Sequence, residues 1–256
     1  MQKSEAGTMR QRAIITGTGP QPFSQWPVVQ QQQPTTAYGQ PAAALSLLSD
    51  ERHQLWRLPR HGENHQFPPH AIDYRSNLAA LQAVDVTEVV ALFAVGAIDP
   101  ALQPGQLLLP DQLIDYSWGR QHSIFTGPEV RHVDFREPFT PGLRQQLRQL
   151  AQSLNIAICP TATYAVAQGP RYETRAELAR MARDGCHIVG MTAMPEAALA
   201  RELELAYAGI AVVMNTTSAH GDPYRTEACE TALAHGMVQV ERLLLAWLET
   251  GVDDRN

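Results

Sequence analysis

Gln168-Gly169-Pro170-Arg171-Tyr172-Glu173-Thr174 and, a helix later, Cys186-His187-Ile188-Val189-Gly190-Met191-Thr192 are the stretches whose reading decides the fold. The first is a turn feeding a helix, because Gly169 permits unusual backbone angles and Pro170 suits a helix entry. Apolar residues then recur at helical spacing from Arg175 to Asp184, and Gly185 stops the run. Cys186 to Gly190 is a short apolar run suited to a buried strand, and a second helix is expected from about Pro195 to Glu204. A carboxylate, Glu173, stands at one strand-to-helix junction, and Met191-Thr192 stands at the next. In an open α/β sheet such junctions converge on the edge where small ligands bind.

Working back from there, Ile156 to Ala167 is rich in strand formers and Pro141 to Leu154 is an amphipathic helix. Val89 to Val95 is nearly continuous apolar sequence, as expected of a strand covered on both faces. It ends at Phe93-Ala94-Val95-Gly96, where a small residue lets a ligand approach a backbone amide. Leu107 to Asp115 reads as another strand, and Ala71 to Val84 as a helix after Pro68-Pro69-His70. Ala13-Ile14-Ile15 is a first strand running into Thr16-Gly17-Thr18-Gly19, which suits either a plain turn or a loop whose amides face an anion, with Thr18 adding a hydroxyl. His53 to Leu58 is a strand leading to Arg60-His61, where a planar fork of donors and an imidazole suit an anion or an exposed charged loop. Residues 20–44, rich in Gln and Pro, are expected to form a surface loop with at most one strand. Leu205 to Met214 is a further buried strand ending at Asn215-Thr216-Thr217, and a last helix is expected from about Thr226 to Glu249.

Composition narrows the class. At 256 residues, 44% hydrophobic and 18% charged, the chain has the make-up of one large globular domain. The formal charge of −6, with no basic run, argues against nucleic acid as a partner. Cys159, Cys186 and Cys229 are too widely spaced for a disulfide framework or a zinc pattern. No secretory core opens the chain, and no run approaches the ~18 apolar residues of a membrane span. The expected location is the cytoplasm, with no membrane partner. Residues 1–11 are expected to be a disordered or tag-like tail, and residues 12–250 a single domain.

Taken together, Thr16 to Gly19, Arg60 to His65, Pro68 to Asn77, Pro104 to Asp115, Gly169 to Thr174, Val189 to Glu196 and the Asn215 strand end resemble the purine nucleoside and methylthioadenosine phosphorylase family. Each piece alone is weak; seven in the same order, over roughly residues 13–245, are specific. Phe67-Pro68-Pro69-His70, Gln112-Leu113-Ile114-Asp115-Tyr116 and Met191-Thr192-Ala193-Met194-Pro195-Glu196-Ala197 look most like bacterial S-methyl-5′-thioinosine phosphorylases. The resemblance implies an α/β fold, a three-layer αβα domain around a central mixed sheet, assembled as a homotrimer or hexamer. It implies phosphorolysis, with inorganic phosphate as co-substrate and neither a metal nor an organic cofactor.

On that resemblance Thr18, Arg60, His61, the Ala94 amide and Thr192 fall on phosphate positions, and Met191 on the floor beneath the ribose. Glu173 and Asn215 are the implied catalytic pair, Glu173 at the N1 edge of a 6-oxopurine and Asn215 at its N7 and 6-oxo side. Thr217 stands where 6-aminopurine enzymes carry a second Asp. His132 matches a His that reaches a neighbouring subunit's site. Phe93, also in the substrate set, replaces a phosphate-binding Thr, Thr16 replaces a frequent Gly, and Thr216 to Asp222 matches no subgroup. The small residues Ala228, Cys229 and Ala232 favour a methylthio group over a 5′-hydroxyl. The implied reaction is phosphorolysis of S-methyl-5′-thioinosine to hypoxanthine and 5-methylthioribose 1-phosphate. The alternatives are an inosine/guanosine phosphorylase, a methylthioadenosine phosphorylase, a hydrolytic nucleosidase on the same fold, and a nucleoside-binding protein without catalysis.

Overall fold

Two long apolar strands organise the molecule. A computed structural model describes residues 11–128, 130–217 and 227–250. In it, β5 (Val86–Ala97) and β11 (Ala206–Thr216) run side by side, parallel and almost wholly buried. Strands apolar on both faces need cover on both, and they have it. The α1 (Tyr74–Ala83) and α4 (Ala193–Glu202) helices close one face with Leu78, Leu81, Ala197 and Ala200. On the other face lie α2 (Pro141–Ser153) and α5 (Glu227–Glu249), with Leu143, Leu147, Leu233, Val240 and Leu244. The result is three layers, αβα.

The sheet is mixed. β1 (Gln11–Thr16) lies parallel between β5 and β4 (Gln54–Pro59), and β3 (Leu45–Ser49) and β2 (Val28–Gln32) continue that flank antiparallel. Beyond β11 come the short strands β6 (Leu107–Leu108) and β8 (Ile158–Cys159). On the far side of β5 are β10 (Ile188–Gly190), β9 (Thr163–Val166) and β7 (Gln112–Asp115), parallel to one another. β10 runs against β5, with Ile188 opposite Ala97 and Val189 opposite Gly96. That register carries Met191 and Thr192 back alongside the last third of β5.

Local chemistry sets the element ends. α3 (Arg175–Arg183) opens on a capping box: Thr174 Oγ1 accepts from the Glu177 amide at 3.1 Å, and Glu177 Oε2 accepts from the Thr174 amide at 2.7 Å. Its buried Leu178 and Met181 pack on Cys186 and Val189. The single strand expected over Leu107 to Asp115 is two, β6 and β7, separated at Pro110, which has no amide to give a ladder. A 3-10 turn at Pro69–Ala71 precedes α1, so that helix starts beyond Asp73, whose carboxylate caps the Ser76 amide. α4 begins at Ala193 rather than Pro195, with Thr192 at its N-cap. The expected tail 1–11 ends earlier than read, because Gln11 already belongs to β1; the rest of it lies outside the described residues. So do 218–226, which hold most of the divergent Thr216 to Asp222 segment and the expected helix start at Thr226. No helix among the described residues is long and apolar enough to cross a membrane.

Candidate active site

A cavity of about 240 Å³ opens where the last third of β5 and the end of β11 meet the chain leaving β10. Thr18, Arg60, His61, Ala94 and Thr192, the residues expected to hold an anion, all line it. Glu173, Met191, Phe93, Asn215 and Thr217 line it as well, with Tyr172, His65 and Pro69 at the rim. Six separate chain segments therefore meet in one depression.

Arg60 is held by a buried network. Its Nε and Nη2 donate to the two carboxylate oxygens of Glu196, each at 2.9 Å, and its Nη1 donates to the Leu92 carbonyl at 2.8 Å. Tyr207 donates its hydroxyl to Glu196 Oε1 at 2.7 Å. Arg60 is 1% exposed and Glu196 is fully buried. Burial works against the guanidinium's charge, but the Glu196 carboxylate outweighs it and holds Arg60 above its ordinary value. Phe93 lies beneath, its ring centre 5.0 Å from the guanidinium carbon and edge-on to Tyr164. The aromatic face replaces the hydroxyl implied at that position. Gly17 leaves the room this arrangement needs, since a Cβ there would stand 2.6 Å from Arg60 Nη1. A fork with some donors anchored in the core, on a residue that lines the cavity, suits a fixed anion contact.

His61 differs from expectation in one respect. Its Nδ1 lies 2.8 Å from the Phe67 carbonyl, an oxygen that can only accept, so Nδ1 carries the proton. Burial, then the charge of Arg60, lowers its pKa from 6.5 to about 4, with His65 stacked on it at 4.2 Å. The ring is therefore neutral near pH 7, and Nε2 is a lone-pair acceptor rather than the further donor read from the sequence.

At the other end, Asn215 is aimed by a bulge. Val213 pairs with Val95 and Asn215 with Gly96, leaving Met214 as an extra residue in β11. Glu173 is 8% exposed, and burial raises its carboxyl above the ordinary range. Thr217 donates its hydroxyl to the Ala97 carbonyl at 2.7 Å and turns its methyl toward Gly96, so its polar group is committed to the backbone. Gly169, at φ +59°, packs against Met191, whose sulfur lies 2.6 Å from where a Cβ would stand.

His132 is not brought to this cavity; it is exposed on the loop between β7 and α2. Ala228 and Ala232 border a separate surface depression with Gly105 and His235. The sequence reading gave no role to Glu196 or Tyr207. A signal was present, because Glu196 is the one charged residue in the run Ala193 to Ala200. A carboxylate on such an apolar segment requires a partner if it is buried.

Comparison with known proteins agrees with this geometry. The family model described as the phosphorylase superfamily matches residues 55–249. A probable S-methyl-5′-thioinosine phosphorylase of Xylella fastidiosa is 46% identical over 212 residues, covering 82% of this chain and 90% of the relative. The S-methyl-5′-thioadenosine phosphorylase of Mycobacterium tuberculosis is 40% identical, over 86% and 82% of the two chains. Among solved structures, methylthioadenosine phosphorylase from Schistosoma mansoni in complex with adenine superposes with a TM-score of 0.87 at 28% identity, covering 94% of this chain and 91% of that one.

Proposed function

This chain belongs to the phosphorylase superfamily, and we propose that it phosphorolyses S-methyl-5′-thioinosine to hypoxanthine and 5-methylthioribose 1-phosphate. The observation that carries the reading is the single cavity with anion donors at one end and Glu173 with Asn215 at the other.

Phosphate sits against Thr18, Arg60, the Ala94 amide and Thr192, held and oriented for attack on the anomeric carbon. Neutral His61 accepts the O–H of hydrogen phosphate at Nε2. A C–O bond forms, the C–N bond to the purine breaks, and its electron pair leaves with the base through an oxocarbenium-like state; the proton given up by hydrogen phosphate ends on the departed purine. Met191 floors the sugar and excludes water. Glu173 accepts from the N1–H of a 6-oxopurine, while the Asn215 amide donates toward the 6-oxo and N7 side, where negative charge grows. No metal or organic cofactor enters; phosphate is the second substrate.

The exposed apolar side chains Trp118 and Val130 lie on the same loop as His132, between β7 and α2. Burial of that surface against a second copy suits a homotrimer in which His132 completes a neighbouring site. A 6-oxopurine phosphorylase acting on inosine or guanosine is the alternative, since Glu173 and Asn215 read the base and not the 5′ group.

The test measures hypoxanthine release from methylthioinosine and from inosine, with and without phosphate. The expected result is phosphate-dependent release, much faster from the methylthio nucleoside. Equal efficiency on inosine removes the methylthio assignment, and turnover without phosphate removes the reaction class.

A further inference from the structure

Arg120 lies outside the cavity lining, on the loop after β7, yet its guanidinium joins the two loops that carry the site. Nη1 donates to the carbonyls of Met191 at 2.8 Å and Met194 at 2.5 Å. Nη2 donates to the carbonyls of Gln168 at 2.7 Å and Ala167 at 3.3 Å. The guanidinium also faces the Tyr74 ring, 5.7 Å from its centre. Its own loop is tied to the same place: the Trp118 amide donates to Gln168 Oε1 at 3.0 Å, and Ser117 donates through its amide and hydroxyl to Asp115 Oδ1.

The four carbonyls come in two pairs. Ala167 and Gln168 lead from β9 toward Glu173, and Met191 and Met194 bracket Thr192 at the entry to α4. Four oxygens converging from two loops need a flat cation with paired donors on separate nitrogens. A guanidinium supplies this, whereas an ammonium has three donors around one point.

We propose that Arg120 is a positioning residue that couples the purine end of the site to its sugar and phosphate end. This rests on the roles given above to Glu173, Met191 and Thr192. If one cation sets the spacing of both loops, a substrate that orders one loop orders the other. The affinities for phosphate and nucleoside are then linked, and linkage of this kind is reciprocal.

The experiment uses the full chain, and wild-type phosphate-dependent base release is established first; its absence would overturn the proposed function and not this inference. In Arg120→Lys, KM is expected to rise for both phosphate and nucleoside. Its kcat/KM is expected to fall about 10²-fold, the scale of a small misplacement of positioned groups. The preference for 6-oxo over 6-amino nucleosides should narrow as well. In Arg120→Ala, added guanidinium is expected to restore part of the lost activity and draw both KM values back together, while methylammonium does not. The coupling is overturned by wild-type kinetics in the lysine variant, by a change in only one KM, or by unaltered base preference. A lysine variant that fails to fold also overturns it, because Arg120 would then serve the fold and not the site.

Discussion

Arg60 and Glu196 form a two-pronged ion pair sealed from solvent, with Nε and Nη2 each 2.9 Å from a carboxylate oxygen. The cation that faces the cavity is thus already neutralised from behind. Removing one member of such a buried pair leaves an uncompensated charge, at a cost of about 3–5 kcal/mol. Glu196→Ala is expected to lower the unfolding midpoint sharply, and Glu196→Gln less so, with phosphate KM raised in whichever variant folds. Thermal unfolding and phosphate titration check this; an unchanged midpoint in Glu196→Ala would contradict it.

Phe93 and Gly209 are expected to behave as one unit. A Cβ at residue 209 would stand 2.5 Å from Phe93 Cε2 and 3.1 Å from Cδ2. Gly209→Ala should therefore destabilise by about 1–3 kcal/mol, the scale of overpacking. Phe93→Thr opens the space that the alanine then partly fills. The double variant should lose less stability than the two single changes combined, and additivity within about 0.5 kcal/mol would refute the contact.

His61 makes stability depend on pH. Its pKa falls from 6.5 to about 4 on folding, so between those values the unfolded chain binds more protons. Its contribution is full above 6.5 and is lost as pH drops toward 4, with a slope of at most about 1.4 kcal/mol per pH unit. Denaturant titrations across this range should be flatter for His61→Gln than for wild type.

Glu173 makes activity depend on pH in the same direction by another route. Burial raises its carboxyl, and the ionised form is the one that accepts a purine N1–H. Turnover of 6-oxopurine nucleosides should fall as pH drops through that raised value, above the ordinary glutamate range. Glu173→Gln should remove this acid limb and slow turnover about 10²-fold, as for a lost transition-state contact. A limb that persists unchanged assigns it to another group.

Asn215→Asp should reverse the preference at the base. A carboxylate repels a 6-oxo oxygen and accepts from a 6-amino group, so inosine-type substrates should lose ground to adenosine-type ones. The ratio of kcat/KM values for the two nucleoside types measures it.

Much of this is legible in the sequence. Apolar strands such as Val89 to Val95 and Ile188 to Gly190 announce themselves because burial on both faces leaves no polar residues to blur the signal. Thr18, Arg60, His61, Thr192, Glu173 and Asn215 sit at strand ends, and the resemblance ordered them into one site. The hidden parts depend on contacts distant in sequence. Nothing local pairs Glu196 with Arg60, 136 positions away, or tells that His61 turns its proton toward Phe67. The Arg120 carbonyl contacts are equally silent, since backbone oxygens leave no mark in a side-chain pattern. Element starts shifted where caps decide them, as Asp73 does for α1.

The extra residue at Met214 has a consequence for how selectivity could change in this chain. Side chains on a strand point alternately up and down, and a bulge absorbs one extra residue by bending and twisting the strand while the residues after it keep the faces of their partners. Deleting Met214 would leave Asn215 opposite Gly96 and on the same face, but it would straighten the bend and extra twist under which that amide now meets the cavity. The choice of base is thus written partly as a bend in the backbone, and one lost codon could blunt it while the anion clasp stayed as it is.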